Sequence, residues 1–283
     1  MKRFPRYFTP LQKLGSLSLS ASAYLTLFFL MMPILVIIPL SFNAEPYFSF
    51  TPGMLALDKE AYSLEWYAEI WHDDNWLLAI KNSFLIGICA TILATVLGTL
   101  AAIGLSNSAM PMQRIIMAIL LSPMIVPLII TAAGMFFFYT QLNLAGTFWG
   151  VVIAHAALGT PFVIITVNAA LAGFDYSLVQ ASLGMGARPV YTFVNIIMPL
   201  IRPGVISGAL FAFVTSFDEV VVALFLAGPE QKTIPRQMFS GLREQINPTI
   251  LAVATLLVVV SALLLFTIEY LRARAERIKM NSW

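Results

Sequence analysis

Phe148-Trp-Gly-Val-Val-Ile-Ala-His-Ala-Ala-Leu-Gly-Thr-Pro-Phe-Val-Ile-Ile-Thr-Val-Asn-Ala-Ala-Leu171 contains no Asp, Glu, Lys or Arg. A helix of that length, at ~1.5 Å per residue, crosses the ~30 Å hydrocarbon layer of a bilayer. Comparable apolar runs fall at 19–40, 77–105, 114–139, 204–227 and 249–271. The chain of 283 residues is 59% hydrophobic and 11% charged, with a mean hydropathy of +0.86, whereas soluble chains carry about 25% charge. There are too few charges to cover a soluble surface. The expected fold is therefore an all-α membrane protein with six transmembrane helices, forming one domain over 1–283. A barrel is excluded, because its strands would alternate polar and apolar residues over ~10 positions. The single cysteine, Cys89, rules out an internal disulfide and a Cys-based metal site. A net charge of +2 gives no basis for a nucleic-acid partner.

The first run follows Lys2, Arg3, Arg6 and Lys13, as a signal peptide would. Its apolar core is longer than the 7–15 residues of a typical signal, and no small-x-small cleavage site follows Pro39, so it reads as an uncleaved anchor. Orientation comes from the cations. Lys2, Arg3, Arg6, Lys13, Arg114, Arg188, Arg202, Arg272, Arg274, Arg277 and Lys279 fall on one side of the six-span scheme. Lys59, Lys81, Lys232, Arg236 and Arg243 fall on the other, diluted by acids. The positive-inside rule then predicts both termini in the cytoplasm.

Loops 43–76 and 228–248 lie outside in this scheme, and the segment Ser63-Leu-Glu-Trp-Tyr-Ala-Glu-Ile-Trp71 of the first reads as an amphipathic helix suited to the membrane interface. Loop 172–203, inside, is ordered-looking. Ser177-Leu-Val-Gln180 fits a capping box and predicts a short helix that Gly184 and Gly186 end. Pro189 suits the first turn of a second helix over 190–197, with Pro199 and Pro203 breaking the chain before span five. The two helices would form a rigid knob, where an ordinary linker is the alternative.

Gln180-Ala181-Ser182, three residues, Gly186, nine residues and Ile196-Ile197-Met198-Pro199 resemble the pattern Glu-Ala-Ala-x3-Gly-x9-Ile-x-Leu-Pro. That is the EAA loop of permease subunits in bacterial ABC importers. The spacing is met throughout, with Gln180, Ser182 and Met198 replacing Glu, Ala and Leu. Ser63-Leu-Glu-Trp-Tyr67, Thr215-Ser-Phe-Asp-Glu219, Ala227-Gly-Pro229, Thr233-Ile-Pro235 and Asn247-Pro-Thr-Ile-x-Ala252 are similar to spermidine/putrescine permeases of the PotC/PotI type.

The resemblance implies an ABC importer permease fold in which loop 172–203 is the cytoplasmic coupling helix, seated on an ATPase through Gln180, Ala181, Ser182, Gly186 and Ala187. It further implies a second permease subunit (a heterodimer), two cytoplasmic ATPase subunits, an external or periplasmic solute-binding protein and a bacterial inner-membrane location. ATP and Mg would be bound by the partner ATPase, and this chain would hold no cofactor. It lacks a Gly-x4-Gly-Lys-Ser/Thr loop of its own. The solute implied is a polyamine; related permeases import aminoalkylphosphonates, amino-acid-like compounds or ferric iron.

Asp218 and Glu219 interrupt span five. A carboxylate at the bilayer centre costs roughly 2.5–3.5 kcal/mol, so it should face protein or water. Helix neighbours are ~100° apart and cannot both point at one ligand. One is expected to line the substrate path and the other to pair across an interface. Asp218 is assigned to the path, with Thr215 and Ser216 as nearby polar groups, although both acids could be structural. His155 reads as a neutral packed imidazole, and Gly204-x-x-x-Gly208 as a close-packing spacing. An intramembrane protease is disfavoured, because adjacent acids cannot converge and no catalytic signature accompanies His155. A channel or secondary carrier would leave the 172–203 knob without a purpose.

Overall fold

The structure, a computed structural model, describes residues 9–106, 110–244 and 247–280; for 243, 244, 264, 265 and 267–280 it describes the backbone alone. Lys2, Arg3 and Arg6, with the side chains of Arg243, Arg272, Arg274, Arg277 and Lys279, therefore lie outside the described residues. Among the described residues the regular elements are all helices, joined by turns and loops, with one isolated bridge between Asn43 and Tyr62. They divide into two compact units, 1–72 with 241–283 and 73–240.

The first unit is built on α1 (Pro10–Leu40), capped by a box between Thr9 and Gln12. After it come a short α2 (Pro52–Leu55), α3 (Glu65–His72) and, at the far end of the chain, α13 (Thr249–Met280). The expected amphipathic segment forms α3. Trp66 Nε1 donates to Asn43 O at 2.6 Å, and the Tyr67 and Ser41 hydroxyls lie 2.6 Å apart. Glu69 accepts from Asn247 Nδ2 at 3.0 Å and from the Thr249 hydroxyl, placing a carboxylate at the start of α13, where the helix dipole favours it. Most of α1 is unburied, with Leu25, Phe28, Phe29 and Leu30 exposed, as suits a helix that meets lipid.

The second unit is a three-helix core of α4 (Asp74–Ser106), α7 (Phe148–Leu171) and α10 (Met198–Phe217). Lipid tails are as apolar as Leu, so burial alone cannot drive such helices together; close backbone approach does. Small residues make it possible. On α4, Ala90, Ala94, Gly98 and Ala102 are buried at every fourth position. A Cβ on Gly98 would lie 2.7 Å from Val163 Cβ, and one on Gly204 would lie 2.7 Å from Thr166 O. One on Gly208 would lie 2.8 Å from Val163 Cα. The Gly204/Gly208 spacing is thus a packing device, as its sequence suggested.

Among the described residues, four helices are long and apolar enough to span a membrane: α1, α4, α7 and the continuous stretch Pro189–Phe217. The expected third span, 114–139, is two helices instead, α5 (Gln113–Ile125) and α6 (Leu128–Gln141), bent by 104°. The cause is Pro127. The residue before a proline is driven out of the helical region, and Val126 is extended at φ −70°, ψ 135°. Counted as one bent span, the pair makes a fifth. The expected sixth, 249–271, lies within α13, whose apolar described stretch is Thr249–Leu263.

Three local expectations are corrected. Pro199 and Pro203 do not break the chain. Pro189–Thr192 (α9) leads through a widened π turn at Phe193–Ile197 straight into α10, with Met198 N–H bonded to Phe193 O. That widening falls where the ring of Pro199 would otherwise meet the carbonyl of Asn195. The 190–197 helix is thus a four-residue helix plus this turn. Span five, expected to run unbroken over 204–227, stops at Phe217 and resumes as α11 (Val221–Leu226). The third correction, at Ser177, belongs with the loop below.

Candidate functional site

The polar interruption of span five separates two carboxylates that sequence places side by side. Asp218 N–H closes the last turn of α10 on Val214 O at 3.0 Å, and the chain then leaves the helix. Glu219 turns inward: it is 7% exposed, and its Oε1 accepts the backbone N–H of Val222 at 2.8 Å, capping α11. Asp218 stays exposed, and Thr215 is partly buried. Ser216 faces the core, its Oγ 2.8 Å from His155 Nδ1, with both residues buried. Of the four residues assigned to the path, Asp218 and Thr215 present exposed surface, whereas Ser216 and Glu219 are turned into the protein.

The far end of α11 is held as firmly. Arg236, on α12 (Ile234–Glu244), donates from Nη1 to Ala227 O and Gly228 O, both at 2.7 Å, setting a cation just past the end of α11. Burial lowers its pKa from the ordinary guanidinium value. Asn82 Nδ2 donates to Glu230 O at 2.7 Å and Lys232 O at 3.0 Å, and Ser83 Oγ accepts Ile234 N–H at 2.8 Å. These contacts account for the Ala227-Gly-Pro229 and Thr233-Ile-Pro235 segments as a clamped turn. Arg236, Asn82, Ser83 and the His155–Ser216 pairing were missed from sequence. The available signal was weak: a lone Asn-Ser pair near the start of an apolar run.

The second candidate region is loop 172–203. Its first helix, α8 (Ser177–Gly184), does not start with the expected capping box. Ser177 is already helical, and Asp175 Oδ1 accepts its N–H at 2.9 Å. The carboxylate two residues upstream takes the donor expected to bond the Gln180 side chain, and Gln180 N–H bonds Tyr176 O at 3.2 Å rather than the Ser177 hydroxyl. The same hydrogen bond holds the Asp175 pKa below its ordinary value. The C-terminus follows the sequence reading. Gly186 has φ +84°, its N–H bonds Leu183 O at 3.0 Å, and Ala187 N–H bonds Ser182 O at 3.1 Å. This paired closure is a Schellman motif, with Gly186 in the left-handed position. Ser182 Oγ and Thr192 Oγ1, both buried, lie 2.9 Å apart and tie α8 to α9. Gln180 and Ala181 are exposed on α8. The loop is therefore a cross-braced corner with an exposed outer face.

Residues 94–277 match the family described as binding-protein-dependent transport system inner membrane component. The chain belongs to that family. Among its relatives within the binding-protein-dependent transport family is the putrescine transport system permease protein PotI of Escherichia coli, 32% identical over 259 residues, which span 88% of each chain. The spermidine/putrescine transport system permease protein PotC of Haemophilus influenzae is 30% identical, over 82% of this chain and 88% of that one. The fold is that of a bacterial ABC transporter involved in import of the acidic polysaccharide alginate, with a TM-score of 0.71 at 14% identity over 94% of this chain and 99% of that chain. The MetNI methionine ABC transporter shares it more loosely, at 0.53 and 19% over 68% of this chain and 93% of that one. A transport component of this family needs no catalytic constellation. Among the described residues no group of three or more His, Cys, Asp or Glu could hold a metal.

Proposed function

We propose that this chain is the permease subunit of an ATP-driven polyamine importer, taking putrescine or spermidine from an external solute-binding protein. The observation that carries this is the match to PotI along 88% of both chains. Six spans with both termini in the cytoplasm fit the cation distribution. A second permease subunit completes the pathway, and two cytoplasmic ATPases bind the ATP and Mg.

The braced corner of loop 172–203 is the coupling helix in this reading. Gln180, Ala181, Ser182, Gly186 and Ala187 seat it on the ATPase. Its Schellman closure and the Ser182–Thr192 contact make it stiff enough to transmit force. ATPase closure moves the paired loops, rocks the helices and opens the path outward; product release resets it inward. Asp218 lines that path, because it is the exposed member of the acidic pair and a carboxylate attracts a cationic solute. Glu219 holds the helix behind it, while Thr215 and Ser216 flank it.

Isothermal calorimetry of the partner binding protein tests the solute. Micromolar or tighter binding of putrescine or spermidine is expected. Binding of an aminoalkylphosphonate or ferric iron instead, with no polyamine heat, would overturn the assignment.

A further inference from the structure

The seam between α7 and α10 repeats every fourth residue. Gly204, Gly208, Ala212 and Ser216 on α10 face Thr166, Val163, Gly159 and His155 on α7. The first three rungs are close contacts without a side-chain hydrogen bond across the seam; the Thr166 hydroxyl is used by Phe162 O and Val163 O of its own helix. Such rungs set how near the helices come. Their close fit resists sliding sterically, but none of them adds a directional bond to the seam.

The fourth rung is different. His155 Nδ1 and Ser216 Oγ are 2.8 Å apart, with the residues 1% and 4% exposed. This is the only side-chain hydrogen bond between α7 and α10 among the described residues. It lies two residues before Asp218, at the last turn of α10.

We propose that the His155–Ser216 pair is a register pin that fixes the height at which Asp218 meets the substrate path. His155 and Ser216 are thus positioning residues, and the proposal rests on the reading of Asp218 as a path residue. A slip by one turn, ~5.4 Å, would break the bond and leave two buried polar groups unpaired. The glycine rungs oppose a slip by contact alone and have no polar pairing to lose. A single polar contact in an otherwise apolar helix seam is a well-attested way of specifying register. Because the pin is only two residues from the carboxylate, any slip of α10 along α7 would carry Asp218 with it.

The test uses the complete importer, reconstituted with its second permease, ATPases and binding protein. Ser216→Ala and His155→Leu are expected to lower ATP-dependent putrescine uptake by roughly three- to tenfold, the scale of one interhelical hydrogen bond, with complex yield unchanged. His155→Asn, whose amide can reach the same hydroxyl, should restore most of it. In an Asp218→Asn background, Ser216→Ala should cause no further loss, since the pin acts through Asp218. Normal uptake by both pin variants while Asp218→Asn is impaired would overturn the pin and leave the path reading standing. Additive losses in the Asp218→Asn background, or failure of Ser216→Ala to assemble, would make the bond merely structural and also overturn it. Normal uptake by Asp218→Asn would remove the path reading itself.

Discussion

Glu219 Oε1 accepts the N–H of Val222 at 2.8 Å, which makes one of two adjacent carboxylates a helix cap and leaves the other, Asp218, on the surface. Their roles separate because the chain breaks between α10 and α11. Arg236 closes the opposite end of α11 on Ala227 and Gly228, so that six-residue helix carries an acid at its start and a base at its end. Both complement the helix dipole.

Replacing Glu219 should therefore affect stability before transport. Glu219→Gln keeps an acceptor for the Val222 N–H and should leave the melting temperature of the purified complex nearly unchanged. Glu219→Ala removes the cap, worth about 1 kcal/mol, and should lower it measurably. Equal melting curves for the two variants would contradict the capping role.

Asp218→Asn should behave in the opposite way. Its side chain is exposed and caps nothing, so complex yield should match wild type while putrescine uptake falls at least several-fold. Uptake assays on matched amounts of complex decide this. Unchanged transport would take Asp218 off the path, and loss of assembly would favour a structural pairing with the second permease.

The corner at Gly186 gives a sharper expectation. At φ +84° a β-branched side chain is strained by about 1–3 kcal/mol. Gly186→Val should leave the chain inserted but abolish the ATP hydrolysis that loaded binding protein stimulates. Gln180→Glu should be tolerated, because Gln180 is exposed in the first half of α8, where the helix dipole favours an acid. ATPase assays with and without loaded binding protein check both, and wild-type stimulation in Gly186→Val would remove the loop from the coupling role.

What the sequence discloses is governed by periodicity and special residues. The apolar run Phe148–Leu171 predicted α7 to the residue, and Pro161 within it does not break the helix. Gly186 announced its corner because few other residues adopt that backbone conformation cheaply. The bend at Pro127 and the passage through Pro199 were not legible. Both are prolines in apolar runs, and whether a helix breaks or widens depends on what the next turn packs against. The Ser177 box failed for a related reason: Asp175 competes for the same donor, and local spacing does not rank the two. The roles of Asp218 and Glu219 needed three-dimensional information, because they depend on where the helix ends.

Orientation is tested independently of all these residues. In a Cys89→Ala background, single cysteines at Ser49 and Gln231 should react with a membrane-impermeant thiol reagent in intact cells. Ser49 is exposed in the loop after α1, and Gln231 is partly exposed beside the clamped turn. Protection of both, with labelling after permeabilisation, would invert the topology.

The central claim is that this chain carries polyamines through the membrane when ATP is hydrolysed by its partners. Its most direct test is accumulation of radiolabelled putrescine in proteoliposomes containing the assembled importer, with loaded binding protein on one side and ATP on the other. ATP-dependent accumulation, competed by spermidine and lost in Gly186→Val, is the expected result. An assembled complex that hydrolyses ATP in response to a non-polyamine solute, and leaves putrescine outside, would contradict it.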